Sequence, residues 1–360
     1  MQKKNPAKRR PERLVVTLLS LLFLSTAVFA TVKYVFRAPE LDTDKPVVTP
    51  DGTASTDVDR TGTDEPDALG RTRRKYCYNI LVSGLDDDNG GSDTNILVRF
   101  DVPNKRIDLV SLPRDTLLHN EYRNNKLNFA YAKGGTELLM EQIENLLGIP
   151  VDFYVTVNLK GFIALVDQID GVDFDIPINM DYDDPYQDLH IHFTKGPRHL
   201  NGQEAMEVVR FRHNNDGTGY PNGDLGRIET QHAFFAALAG QVLQLGNISN
   251  LPQIISLVID NTDTNLSSGN IAFYAQEFLK MGMDDISFYT LPYDTVYIRG
   301  GSYVSIQLEA WLDMINTYLN PFNMDVTAAN LDVLCFDGAN FSSTTGNIPD
   351  IYSFYDYFAG

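Results

Sequence analysis

The sequence predicts an α/β domain in which helices cover a central β-sheet, and two observations carry that prediction. Three β-type runs follow one another closely: YCYNILVS (76–83), TNILVRF (94–100) and RIDLVSL (106–112). Downstream of them, helical and strand patterns alternate, and later strands are interspersed among helices without any internal repeat.

Taken in order, VPNK (102–105) separates the second and third runs and reads as a hairpin turn. A helix is expected from Thr136, whose hydroxyl can cap it, through Leu139, Ile143 and Leu147 to a stop at Gly148. The run 151–157 is the next strand, followed by a helix over 159–168 and a strand over 172–176. Residues 227–245 form a long Ala-rich helix, with shorter ones over 251–259, 270–281 and 306–319. ISFYTL (286–291) and LDVLCF (331–336) are the remaining strands.

The N-terminus has a different character. Its first 13 residues carry six Lys or Arg against one Glu, and residues 14–32 follow without a charge. A helix of that length rises roughly 28 Å, about the thickness of a bilayer's hydrocarbon core, and the basic flank keeps residues 1–13 cytoplasmic. The alternative is a secretory signal peptide cut near Ala30. A retained anchor over 14–36 is favoured, because the run exceeds the usual apolar core of about 7–15 residues. Residues 37–75 are dense in Asp, Thr, Pro and Gly and are expected to form a flexible stalk, so that the folded region begins at Tyr76.

The chain carries −19 overall, and residues 14–360 carry −24. So acidic a domain excludes nucleic-acid binding, which is built on Lys and Arg clusters. Two cysteines, Cys77 and Cys335, are open to one disulfide or to two buried thiols. Zinc motifs such as CxxC or HExxH are absent from the sequence.

Against that acidity, four segments with cationic or metal-ligating potential stand out. GLDDDNGGSDT (84–94) offers carboxylates on a Gly-rich loop, the hard oxygen ligands that Mg2+ or Ca2+ prefers, although taken alone the stretch reads as a solvated acidic turn. SLPRD (111–115) delivers Arg114 and Asp115 at the end of a strand, and NNKLNFAYAKGG (124–135) supplies Lys126. In 208–231, Arg210 and Arg212 point to one side if the chain is extended, and Asp224, Arg227 and Gln231 share one flank of a helix start. Clustered arginines grip phosphate oxygens, and a helix N-terminus adds N–H donors. Together these features point to metal-assisted chemistry on a phosphate ester or pyrophosphate.

In this order the segments resemble the LytR-CpsA-Psr family. The resemblance rests on Gly84 and Asp86 with Ser92-Asp93-Thr94, on SLPRD (111–115), on KLNFAY with Gly134-Gly135, and on FIALVDQIDGV (162–172). GPRHLNGQEA (196–205), Arg210-Phe211-Arg212 and DLGR (224–227) complete it. It implies a membrane-anchored α-β-α domain with a mixed sheet, on the outer face of the cytoplasmic membrane, chiefly of Gram-positive bacteria. It also implies an activity: transfer of an anionic glycopolymer, such as teichoic acid or capsule, from an undecaprenyl-pyrophosphate carrier to peptidoglycan.

By the same resemblance, Asp86 and Asp93 would ligate Mg2+ (or Mn2+). Arg114, Arg210, Arg212 and Arg227 would hold the pyrophosphate, with Lys126 and Gln231 alongside. Asp224 or Asp86 would take the acceptor's proton, and a deep apolar pocket around 153–166 and 233–245 would receive the prenyl tail. On this view residues 76–245 are the catalytic part, 246–330 complete the same domain, and 331–360 form a terminal strand and tail. The chain departs from the family where Asp88, Gly91 and Thr230 replace habitual arginines. That leaves room for a second reading, a non-catalytic scaffold or sensor that binds polyprenyl phosphate.

Overall fold

The computed structural model describes residues 69–85, 90–120, 124–244, 251–298 and 300–349, together with 38–41, 47–48, 54–55 and 66. The anchor expected over 14–36 lies outside these residues, and among the described residues no helix is long and apolar enough to cross a membrane.

Strands β1 (Cys77–Leu85), β2 (Ser92–Asp101) and β3 (Arg106–Leu112) form an antiparallel meander. Its second turn is the expected one at 102–105, closed by Lys105 N–H donating to the Val102 carbonyl at 3.2 Å. Helix α1 (Leu127–Leu147) carries the chain back so that β4 (Phe153–Val157) lies parallel to β1. After α2 (Leu159–Gln168), β5 (Val172–Ile176), β6 (Met180–Asp184), β7 (Leu189–Phe193) and β8 (Gly196–Leu200) form two antiparallel pairs, β6 with β7 and β5 with β8. Helices α3 (Gly202–Arg210), α4 (Asp224–Gln244) and α5 (Leu251–Asn261) follow.

The chain then returns to the main sheet. β9 (Thr262–Thr264) adds to β4 antiparallel, α6 (Ser268–Phe278) crosses over, and β10 (Ile286–Thr290) adds to β3 in parallel. The result is one mixed six-stranded sheet of order β9-β4-β1-β2-β3-β10. Beyond it lie the hairpin β11 (Tyr293–Ile298) and β12 (Gly301–Ile306), helix α7 (Leu308–Met314), and a small pair β13 (Leu334–Phe336) and β14 (Phe341–Ser343).

The strand period explains why the sheet sits between layers. Leu81, Leu97 and Val110 face Leu139, Ile143 and Leu147 of α1 and Trp311 of α7. Their neighbours Tyr78, Ile80, Phe100 and Ile107 face Phe273 and Tyr274 of α6. Each such side chain contributes roughly 1.5–3 kcal/mol by leaving water, so the two-sided burial makes the central strands the stable frame. A separate core, built on Val166, Phe174, Ile191 and Phe234, holds the two strand pairs against α2, α3 and α4.

Several expectations are corrected. Helix α1 begins at Leu127, not Thr136: two helical segments meet at Gly134 and Gly135, the latter at φ +67°, and the apolar period from Thr136 marks only the second. The first has no side-chain cap at Lys126 to announce it. Residues 69–75 already belong to the fold. Arg73 is buried in an ion pair with Asp152, and Arg71 lies over the Phe322 ring at 4.1 Å. Even Pro39, in the expected stalk, accepts a hydrogen bond from Tyr78 Oη at 3.2 Å. Of the two possibilities left open for Cys77 and Cys335, the structure has free thiols, and burial pushes that of Cys77 up to about 11.

Candidate functional site

The ends of four strands converge at one edge of the sheet. Because β1 and β2 are antiparallel, the C-terminal residues of β1 meet the first residues of β2, with Gly84 opposite Thr94. The exits of β3 and β4 lie on either side. Pro113 turns the chain out of β3, and Thr116 closes that turn by donating from N–H and Oγ1 to the Pro113 carbonyl at 3.1 and 2.7 Å. Arg114 is thereby fixed at the sheet's rim.

Asp93, the second residue of β2, holds the centre. Its Oδ1 accepts from Arg114 Nη1 at 2.7 Å and its Oδ2 from Arg212 Nη2 at 2.8 Å. Arg227 enters from the first turn of α4 and is 5% exposed; its Nη2 pairs with Asp224 Oδ1 at 2.8 Å. Burial, and then the like charges of Arg212 and Arg114, hold Arg227 below the usual guanidinium value. For Arg114 burial acts in the same direction, but Asp93 and Asp115 outweigh it and raise the value. The Nε atoms of Arg114 and Arg227 are buried and make no hydrogen bond among the described residues. Arg114 Nε nonetheless faces a carboxylate, Asp115 Oδ2, as an ion pair beyond hydrogen-bond distance.

Below this cluster opens a cavity of about 490 Å³. Asp93, Arg114, Arg210, Arg212, Arg227 and Gln231 form its polar end, and its walls are Val82, Ile96, Leu159, Phe162, Leu165, Met206, Phe235 and Leu238, among others. The expected apolar pocket is therefore present and lined by α2 and α4. Phe153 itself lies elsewhere, packed against Tyr78 and Tyr274.

The predicted site residues fall into three groups. Asp93, Arg114, Arg210, Arg212, Arg227 and Gln231 meet in the cavity. Lys126 and Asp224 support it from outside: Lys126 Nζ pairs with Asp115 Oδ1 at 2.9 Å, and Asp115 also stands 3.6 Å from Arg114 Nε. Asp86 lies outside the described residues. One geometric expectation fails, because Arg210 and Arg212 do not share an extended segment. Arg210 ends α3, and Phe211, with ψ at 133°, turns the chain. Arg210 therefore reaches Gln187 at 2.6 Å while Arg212 reaches Asp93.

Gln187, Tyr182 and His213 also line the cavity and were not anticipated. In DYDDPYQD (181–188), Tyr182 and Gln187 read as a polar turn, and no local pattern sets Gln187 apart. Two departures from the family pattern have packing reasons. A Cβ on Gly91 would stand 3.2 Å from the Asn128 carbonyl oxygen, so the loop hugs the start of α1. Thr230 is buried and bonds back to the Gly226 carbonyl at 2.9 Å.

Comparison with known proteins agrees with this architecture. A polyisoprenyl-teichoic acid–peptidoglycan teichoic acid transferase of Bacillus subtilis, TagV, is 34% identical over 203 residues, covering 54% of this chain and 51% of TagV. The transferase named TagU of Enterococcus faecalis is 34% identical over 57% of this chain and 66% of its own length. A Staphylococcus aureus relative named regulatory protein MsrR is 30% identical over 61% of this chain and 65% of its own. The chain thus spans about half to two thirds of the length of the curated relatives it matches. The crystal structure of B. subtilis TagV superposes with a TM-score of 0.60 at 28% identity, covering 68% of this chain and 96% of that one. The model of the LytR_cpsA_psr family matches residues 48–319. The chain belongs to the LytR-CpsA-Psr family.

Proposed function

We propose that this protein is a membrane-anchored phosphotransferase that moves an anionic glycopolymer, teichoic acid- or capsule-like, from an undecaprenyl-pyrophosphate carrier to peptidoglycan. Residues 14–36 would span the membrane with the N-terminus cytoplasmic and the folded domain outside. The observation that carries the reading is the joining of four guanidinium groups, those of Arg114, Arg210, Arg212 and Arg227, to an apolar cavity. A lipid-linked pyrophosphate has that dual character: oxygens that want forked donors and a tail that wants to leave water. The names of the TagV and TagU relatives give the same reaction class.

In this reading Arg114, Arg210, Arg212 and Arg227 hold the pyrophosphate oxygens, with Gln231 beside them, while Lys126 positions Arg114 through Asp115. Their charge stabilises the departing prenyl phosphate as an acceptor hydroxyl of peptidoglycan attacks the other phosphorus. Asp224, exposed at the head of α4, takes the hydroxyl proton.

Asp93 fits a hard dication. Each of its oxygens bonds one guanidinium and keeps a further lone pair. Asp93 and Asp86 would hold Mg2+ or Mn2+, which when bound neutralises phosphate charge.

The test is to incubate the purified protein with lipid-linked glycopolymer, Mg2+ and peptidoglycan oligomers. Attachment of the polymer to peptidoglycan is the expected result. Tight lipid binding without transfer would overturn the enzyme reading in favour of a scaffold.

A further inference from the structure

The hairpin of β6 and β7 carries a cluster that the reaction above does not use. Its register places Asp181 opposite His192 and Asp183 opposite His190. Alternation along the two strands brings all four side chains to the outer, solvent-facing side. Asp183 Oδ1 lies 2.5 Å from His190 Nδ1 and 3.3 Å from His192 Nε2. One ligand atom from each of Asp183, His190 and His192 falls within 4.8 Å of the others.

From this geometry we infer that Asp183, His190 and His192 form a binding site for a transition-metal dication of the Zn2+ class. Two imidazole nitrogens and a carboxylate oxygen are a Zn2+ donor set, and three protein ligands leave a coordination position open. The far nitrogen of each imidazole already has a carboxylate partner. His192 Nδ1 donates to Asp181 at 2.8 Å, and His190 Nε2 stands 3.7 Å from Asp188. Such outer carboxylates fix ring orientation and raise ligand basicity.

The ladder itself supplies rigidity. The ligands come from facing positions on two paired strands, and the Asp181 and Asp183 amides are tied by Asn214 and Asn215 side chains at 2.7 Å each. Those asparagines belong to the segment that follows Arg212. On its inner side the same hairpin contributes Tyr182 and Leu189 to the cavity wall, and Gln187 of its turn holds Arg210. A bound ion would therefore staple together the two strands that wall the cavity, with its open position facing solvent. Metal binding at this hairpin is independent of the transfer reaction.

The test is calorimetric titration of the chelator-stripped, full-length protein in detergent with Zn2+, repeated in the presence of excess Mg2+. One Zn2+ per chain is expected, undisplaced by Mg2+. His190→Asn with His192→Asn should abolish it, and Asp181→Asn should weaken it by about tenfold. Asp93→Asn should leave it unchanged. Co2+ loaded in place of Zn2+ should give the visible absorption of a low-coordinate His-ligated ion, lost in the double variant while the far-ultraviolet circular dichroism stays that of the parent. No stoichiometric Zn2+ binding, or equal binding by parent and double variant, would overturn the assignment.

Discussion

Arg114 Nη1 donates to Asp93 Oδ1 at 2.7 Å, a bond that joins the exit of β3 to the second residue of β2 across the mouth of the cavity. Both residues lie just beyond the paired register of Asn95 with Leu112, so the ion pair prolongs the ladder by side chains where the backbone has left it. Arg114→Ala removes the guanidinium without opening the core. We expect transfer to fall by at least about a hundredfold with the melting temperature nearly unchanged. Full retained activity in the transfer assay would refute the role given to Arg114.

The cavity makes a separate prediction. Leu238→Trp adds bulk to its wall from α4. Binding of a polyprenyl phosphate should weaken by about tenfold or more, read by displacement of a fluorescent prenyl probe. Binding of a short, tail-less pyrophosphate should be preserved, and equal losses for both would mean that the tail lies elsewhere.

Asp108 predicts stability, not activity. It is fully buried in β3, where Oδ2 accepts from Arg99 Nη2 at 2.6 Å and Oδ1 from Arg106 Nε at 2.9 Å. Asp108→Ala leaves the buried Arg99 charge unpaired, a change expected to cost about 3–5 kcal/mol. Chemical denaturation of the two proteins measures it directly.

A pH effect follows from His232 on α4, whose Nε2 lies 2.8 Å from Ser111 Oγ. Burial holds its imidazole below the ordinary value of 6.5. The unfolded chain therefore takes up a proton at a higher pH than the fold does, and stability declines as pH falls below 6.5. His232→Gln should flatten that part of the stability profile measured by denaturation across pH. An unchanged slope would assign it to other groups.

Much of this was legible in the sequence where one pattern dominated. The strand 106–112, the helix 159–168 and the strand 172–176 have the predicted bounds, because apolar period and turn residues agree there. The pair β6 and β7 was not legible. Met180–Asp184 reads MDYDD, and Asp is depleted in strands, so the alternation of Met180 and Tyr182 with acids looks like a solvated loop. Helix α3 is announced by a capping box at Asn201 and Glu204, but its polar face masked the period. Arg210 ends that helix and Arg212 lies beyond it, so the two do not share the extended segment that their spacing suggests. The site residues were found by type and order, whereas their convergence depends on strand pairing, which distant segments decide together.

The hydrogen bond from Tyr78 to Pro39 bears on reach. Tyr78 lies near the start of β1, whereas the cationic cluster sits past its other end, about 20 Å away along the six residues to Gly84. If residues 14–36 are the membrane span, only a few residues separate it from that contact. The leash is then short, and the domain is held close to the lipid surface by the end of the sheet remote from the arginines. A carrier lipid would have to present its headgroup on the order of one strand length from the tether, so inserting residues between 36 and 39 should change how efficiently the carrier is captured while leaving the chemistry of a soluble substrate untouched.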